Sequence, residues 1–354
     1  MPIMALRDHA MRFARLLVAL ALVILALSVG RAIFVLATAP PPATLPAETL
    51  ADAGGRFSLV RNTQLYMVEA GPSDGRPIVL VHGLLGSTQD FAELIPVLAQ
   101  AGYRVLAVDR PPFGLSDKRP SAPMTAAAQA DLLAEWLATL GLARAVWLGH
   151  SAGGAVVAQL ALRHPQKVSA LVLVAPQIGT AASDEGAANL LANPVLPVLA
   201  TIFIQSLNPS APWAEAELRT YFNESRLRDF LQAQLSVARV SDAMAAGEAR
   251  FTRAQGWEAG LRAFGRAVLA DRSSLRIEEL AAALRAPVLI MWGEADAFIP
   301  VGRGRRLKEA LPSSTLIVYP AAGHQPWRDA PADFTRDLLT FLSTHSSTFI
   351  LSRL

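Results

Sequence analysis

The chain has 354 residues and not one cysteine. That absence excludes disulfides, thiolate metal sites and a cysteine nucleophile, and leaves the redox compartment open. Charge is also sparse, with 17% charged residues and a net charge of +3. The arginines are scattered and lysines are few. No basic stripe results, so no nucleic-acid partner is expected. No internal repeat is visible. What the chain has in quantity is apolar residues, 52% of the total, and length enough to bury a substantial core.

Part of that apolar share lies at the N-terminus. Residues 1–15 form a basic segment with Arg7, Arg12 and Arg15 against Asp8. Residues 16–39 follow as an apolar run broken only by Arg31. At about 1.5 Å per residue such a run can cross the ~30 Å hydrocarbon layer, so one transmembrane helix is expected. Arg31 lies close enough to its end to snorkel. A cleaved signal peptide with Ala37-Thr38-Ala39 as its site is the rival, and an interfacial helix is a third reading. Pro40 directly after the cut and the length of the run favour an uncleaved anchor. The leading arginines then stay in the cytoplasm and the remainder lies outside it, in the periplasm of a bacterium. Cleavage would instead give a secreted protein. The Pro-rich residues 40–54 read as a stiff linker.

Beyond Gly55 apolar strands alternate with helical patterns. A hairpin turns around Asn62-Thr63, and buried strands are expected at Ile78–Val81, Arg104–Asp109, Ala145–Leu148, Ala170–Ala175, Pro287–Trp292 and Thr315–Tyr319. Helices lie between them, one capped by Thr125 and closing at Gly141. That order is the signature of an α/β protein with a mostly parallel sheet. The alternation stops over residues 177–276, which are helical in pattern with Pro194, Pro197, Pro209 and Pro212 as breakers. A loop of that length is improbable in a compact domain, so the stretch reads as a helical cap. The expected core is therefore split into 55–176 and 277–345, with 346–354 as a tail.

One motif organises the rest. The strand at Ala145 runs into Gly149-His150-Ser151-Ala152-Gly153, and an apolar helix follows. Strand, Gly-x-Ser-x-Gly and helix in that order form the setting of a nucleophilic serine. The glycines permit the sharp turn, and the helix opening at Ala152 offers unpaired N–H groups to an oxyanion. Serine needs a base and the base needs an acid. Elimination among six histidines leaves His324, which follows the last strand in Gly323-His324-Gln325-Pro326. His82 is expected to shape its loop, His150 to point away from Ser151 and His164 to lie at the surface. The segment Gly293-Glu294-Ala295-Asp296 offers two carboxylates at a strand end, of which Asp296 is the expected acid and Glu294 a solvated one. Asp109 is expected to hydrogen-bond its own loop.

Five pieces carry a family resemblance: His82-Gly83-Leu84-Leu85-Gly86, Asp109–Ser116, Gly149–Gly154, Trp292–Asp296 and Gly323-His324. Together they resemble the α/β-hydrolase fold superfamily, in its capped serine esterase/lipase-like branch, across about residues 55–345. The resemblance implies that the N–H groups of Leu84 and Ala152 form the oxyanion hole and that the insertion shapes the substrate pocket. Pro112 stands where the family usually has glycine. Serine at 151 argues against the haloalkane dehalogenases and epoxide hydrolases, which use aspartate.

The expected activity is hydrolysis of a small hydrophobic carboxylic ester, such as a monoacylglycerol, through an acyl-enzyme, with no metal or organic cofactor. The same triad serves C–C bond hydrolases, haloperoxidase-like enzymes and aminopeptidases. A non-catalytic ligand-binding protein on this fold is the alternative of a different class.

Overall fold

Eight strands form one sheet in the order β1-β2-β4-β3-β5-β6-β7-β8. The computed structural model describes residues 2–179, 193–271 and 275–345. The parts of the expected insertion at 180–192 and 272–274, and the tail 346–354, lie outside the described residues. The strands are β1 (Gly55–Val60), β2 (Thr63–Ala70), β3 (Arg76–Val81), β4 (Tyr103–Val108), β5 (Ala145–His150), β6 (Val168–Val174), β7 (Val288–Gly293) and β8 (Thr315–Tyr319). β2 runs antiparallel to β1 and β4, and every other pairing is parallel.

The first hairpin turns one residue earlier than its sequence suggests. Thr63 already pairs with Val60, and Arg61 and Asn62 take φ values of 45° and 64°. Two positive φ values match the right-handed twist of the flanking strands.

The central strands are apolar throughout because both of their faces are covered. Val79, Val81, Trp147 and Leu171 face one layer, which includes α3 (Ala126–Thr139) and α4 (Ala152–Arg163). Ile78, Leu80, Leu148 and Val172 face a second layer, and α2 (Leu94–Gln100) belongs to it. The Thr125 hydroxyl caps α3 by accepting from Ala128 N–H, and Gly141 ends that turn at φ +71°.

Among the described residues the insertion after β6 carries α5 (Leu196–Leu207), α6 (Ala211–Tyr221), α7 (Glu224–Gln234), α8 (Asp242–Ala249) and α9 (Trp257–Ala270). Pro197 and Pro212 sit in the first turns of α5 and α6, where a missing N–H costs nothing. The insertion has its own apolar centre, including Ile202, Leu218, Phe251, Trp257 and Leu261. After it come α10 (Ile277–Ala283), α11 (Gly302–Ala310), α12 (Pro326–Asp329) and α13 (Pro331–Thr344). Phe334 and Leu338 of α13 complete the second layer.

The N-terminal helix Pro2–Thr38 carries the apolar stretch. Its last turns lie on the insertion. Arg31 makes a bidentate pair with Glu217 of α6, at 2.8 Å for each bond, and Val35 is buried. The Pro-rich segment that follows is docked in the same way. Arg219 donates to Pro40 O at 2.7 Å, Gln255 N–H donates to Leu45 O at 2.9 Å, and Arg250 pairs with Asp52 at 2.7 Å. Proline rigidity alone reads as a spacer, and the partners that bind this one come from residues about 200 positions away.

Candidate active site

The turn at Ser151 is as sharp as the motif requires, with φ 52° and ψ −121°. Few non-glycine residues adopt this region, and such strain collects at functional sites. Its flanks must be glycine. A Cβ on Gly149 would fall 2.6 Å from Gly153 O, and one on Gly153 would fall 2.3 Å from Val81 O.

His324 follows β8 and Asp296 follows β7, so two neighbouring strand ends deliver them. They meet with His324 Nδ1 2.7 Å from Asp296 Oδ2, and both side chains are nearly inaccessible. Asp296 Oδ1 accepts the N–H groups of Phe298 and Ile299 at 2.8 and 2.9 Å. The carboxylate is therefore fixed on both oxygens. That arrangement places a proton on Nδ1 and leaves Nε2 as an acceptor. Phe298 stacks on the imidazole with centroids 5.1 Å apart, and His324 N–H donates to Gln234 O of α7 at 2.7 Å. Ser151 and His324 line the same cavities. They are not hydrogen-bonded to each other in this conformation, a looseness common where no substrate is bound.

Leu84 and Ala152 line the larger of these cavities with Ser151, and neither N–H is spent on a hydrogen bond among the described residues. Arg110 explains the aim of the first. Its Nε donates to His82 O at 2.9 Å and its Nη2 to Gly83 O at 2.7 Å. A planar trans peptide points its N–H opposite its carbonyl, so holding Gly83 O turns the Leu84 N–H the other way.

The remaining histidines are occupied elsewhere. His82 is fully buried, with Nδ1 2.9 Å from Gly83 O and Nε2 accepting Arg110 N–H at 3.0 Å. His150 turns its Nε2 to His324 O at 3.0 Å. Burial first, and neighbouring positive charge second, hold both well below the ordinary histidine range, so both rings are neutral. His164 pairs with Asp131 at 2.7 Å. Glu294 is exposed, and Asp109 accepts Thr88 and Leu115 N–H groups at 2.6 Å each. His82 and Asp109 hold their loops and Glu294 is solvated, as expected, whereas His164, expected at the surface, is half-buried against Asp131.

Several neighbours left no trace in the sequence. Asp329 accepts the N–H groups of Gly323, Ser236, Val237 and Ala238, which ties the His324 loop to the insertion. Gln234, Asp90 and Glu248 also stand beside the site. None belongs to a motif, since each depends on a long-range approach.

The site has two lobes. The larger, about 470 Å³, is mostly apolar, with Met124, Leu199, Phe203, Phe264 and Leu275 in its walls. The smaller, about 30 Å³, lies between the Gly83–Gly86 loop and α7 and α8.

Comparison with known proteins bears on the fold and the family. Residues 76–326 match the family model of the alpha/beta hydrolase fold. The chain is 30% identical over 302 residues to the dihydrolipoyllysine-residue acetyltransferase component of an acetoin cleaving system from Pseudomonas putida, covering 85% of this chain and 70% of the other. It is 27% identical to an sn-1-specific diacylglycerol lipase from Danio rerio, with 78% and 81% covered. Among solved structures, a membrane phospholipase A superposes with a TM-score of 0.65 at 22% identity, over 94% of this chain and 98% of that one. A structural likeness at that identity speaks for the fold alone. With the family model spanning most of the sequence, the chain belongs to the α/β-hydrolase fold family and is a serine hydrolase by its elbow.

Proposed function

We propose that the protein hydrolyses hydrophobic carboxylic esters through an acyl-enzyme on Ser151, His324 and Asp296. The observation that carries this is the buried Asp296–His324 contact at 2.7 Å, in a cavity that the strained Ser151 also lines. Ser151 Oγ attacks the acyl carbonyl and His324 Nε2 takes its proton. Asp296 holds the tautomer that makes this possible. The tetrahedral oxyanion lies on the N–H groups of Leu84 and Ala152, each worth about 3 kcal/mol of transition-state stabilisation. His324 returns the proton to the departing alcohol, the acyl–oxygen bond breaks, and water then repeats the sequence on the acyl-enzyme.

The apolar lining of the large lobe supports an acyl chain as its occupant, and the diacylglycerol lipase among the relatives is in keeping with that. The N-terminal helix is read as an uncleaved anchor, with the catalytic domain outside the cytoplasm. Its contacts through Arg31, Val35 and Pro40 favour retention over cleavage. A mature N-terminus at Pro40 would overturn that reading.

A fluorophosphonate probe tests the chemistry. Wild type is expected to be labelled and Ser151→Ala is not. A chain-length series of nitrophenyl esters then ranks acyl groups. No label on wild type, or equal label on the variant, refutes the esterase, and turnover of carbon–carbon or amide substrates in preference to esters replaces it.

A further inference from the structure

We propose that the smaller lobe is a leaving-group subsite that takes a hydroxyl-bearing arm of the departing alcohol, read by His150 Nδ1 and the paired carboxyls of Asp90 and Glu248. The proposal rests on the serine-hydrolase reading above and adds the class of alcohol to it.

The lobe lies against Ser151 and His324, where the leaving oxygen must receive its proton. Its polar wall is unusual in offering acceptors. The neutral His150 ring directs Nε2 to His324 O, so its proton is there and Nδ1 is an acceptor. That Nδ1 is buried and has no partner among the described residues. Glu248, on α8, is 4% exposed, and its Oε2 accepts from Ser87 Oγ at 2.9 Å while Oε1 has no partner among the described residues. Asp90 is 2% exposed, meets the Glu248 carboxyl and accepts from Gln325 Nε2 at 3.4 Å. Leaving a buried acceptor unpaired is costly, and two facing one space, His150 Nδ1 and Glu248 Oε1, call for a donor to fill it.

The chemistry of that donor follows from charge and size. Burial raises both carboxyls above their ordinary values; the charge of Asp90 raises Glu248 further, while Arg328 works against the rise in both. The two carboxyls face the buried guanidinium of Arg328, which is anchored on Gln325 Oε1 at 2.9 Å and Gln89 O at 3.1 Å and also pairs with Glu93 at 3.5 Å. With a guanidinium already beside the carboxyls, the lobe suits a neutral hydroxyl donor in preference to an ammonium group. A volume of about 30 Å³ holds one or two water-sized groups, which is the size of a hydroxymethyl arm. Apolar Leu227 and Leu231 on α7 cover the carbon side of such an arm.

The test compares butyrate esters of ethylene glycol, 1-propanol and choline on the full-length protein. The 2-hydroxyethyl and propyl esters differ only in a hydroxyl for a methyl. Wild type is expected to favour the 2-hydroxyethyl ester by roughly tenfold in kcat/KM, since a site built to bind a hydroxyl leaves its own groups unpaired without one. In Glu248→Leu the preference disappears or reverses. Ethylene glycol is likewise expected to compete better than 1-propanol against nitrophenyl butyrate, a wild-type measurement that stands if the leucine variant does not fold. Equal rates for the two esters, as a lobe filled by structural water would give, overturn the proposal. So does a choline ester that outruns both, or a ratio unchanged in folded Glu248→Leu. Should wild type hydrolyse none of the esters and take no fluorophosphonate, the hydrolase reading itself has failed, and that signal is distinct.

Discussion

Arg110 shows how much of the site is decided by single residues outside the expected triad. It is 2% exposed, and carbonyl oxygens and the Gln129 amide satisfy it instead of a carboxylate. Its hydrogen bond to Gly83 O sets the direction of the Leu84 N–H. Arg110→Met keeps much of the packing over Phe113, whose ring lies 4.8 Å from the guanidinium, and removes one of the two donors on that carbonyl, leaving His82 Nδ1 alone to hold it. On the reading proposed here, kcat falls about 100-fold with KM little changed, the loss expected for one oxyanion donor out of aim. An equal fall in binding and turnover, or no fall, would show that the arginine only fills space. Ser151, His324 and Asp296 were legible because each sits where an apolar strand ends, and strand ends are readable. Arg110 carries no such signal, since its reach back to a loop 28 positions earlier exists only after β3 and β4 pair.

Among the elements, the strands were read within one to three residues at most ends because both faces of the sheet are covered and the apolar runs are unbroken. The insertion was legible as helical but not in its contacts, because its helices pack on one another and on loops without a fixed register. The joint between α8 and the loop after β3 is the clearest example. There Glu248 and Asp90 meet, with Ser87 and Gln325 hydrogen-bonded to them and Arg328 and Glu93 acting on their charge. Burial raises both acids, Glu248 well above the ordinary range, so the folded protein binds a proton there more tightly than the unfolded chain does. The stability it contributes is complete below the usual carboxylate value near 4 and is lost as pH rises through the raised value. The melting temperature should therefore decline with rising pH, and Glu248→Gln, which cannot ionise, should flatten the slope. Calorimetry from about pH 5 to 9 measures it. Parallel curves for the two proteins would place the proton elsewhere.

At the scale of the whole molecule, the proposed anchor and the insertion share one structural problem. The apolar run is long enough to span a bilayer when counted to Ala39. Arg31 is bound to Glu217, however, and Val35 is buried on the insertion, so the last turns belong to the folded domain. What remains for lipid, Leu16 to Gly30, is about 22 Å at 1.5 Å per residue, against a hydrocarbon layer of ~30 Å. Snorkelling of Arg12 and Arg15 recovers part of the difference. The rest is met if α6 and its neighbour α5 sink into the headgroup layer, and α5 exposes Ile204 at 62% and Leu207 at 70%. Phe203, on the same helix, lines the large lobe, so a helix seated in that layer would bring the acyl cavity close to lipid. Inserting four leucines after Val23 adds one helical turn, about 6 Å, and removes the mismatch. The lengthened protein should remain in the membrane and keep its rate on a soluble nitrophenyl ester in detergent. Its rate on an acylglycerol presented in vesicles should fall severalfold, because the insertion is lifted away from the lipid. An unchanged ratio of vesicle to detergent rates would mean that the short anchor is accommodated by bilayer thinning, and that the depth of the insertion plays no part in capturing substrate.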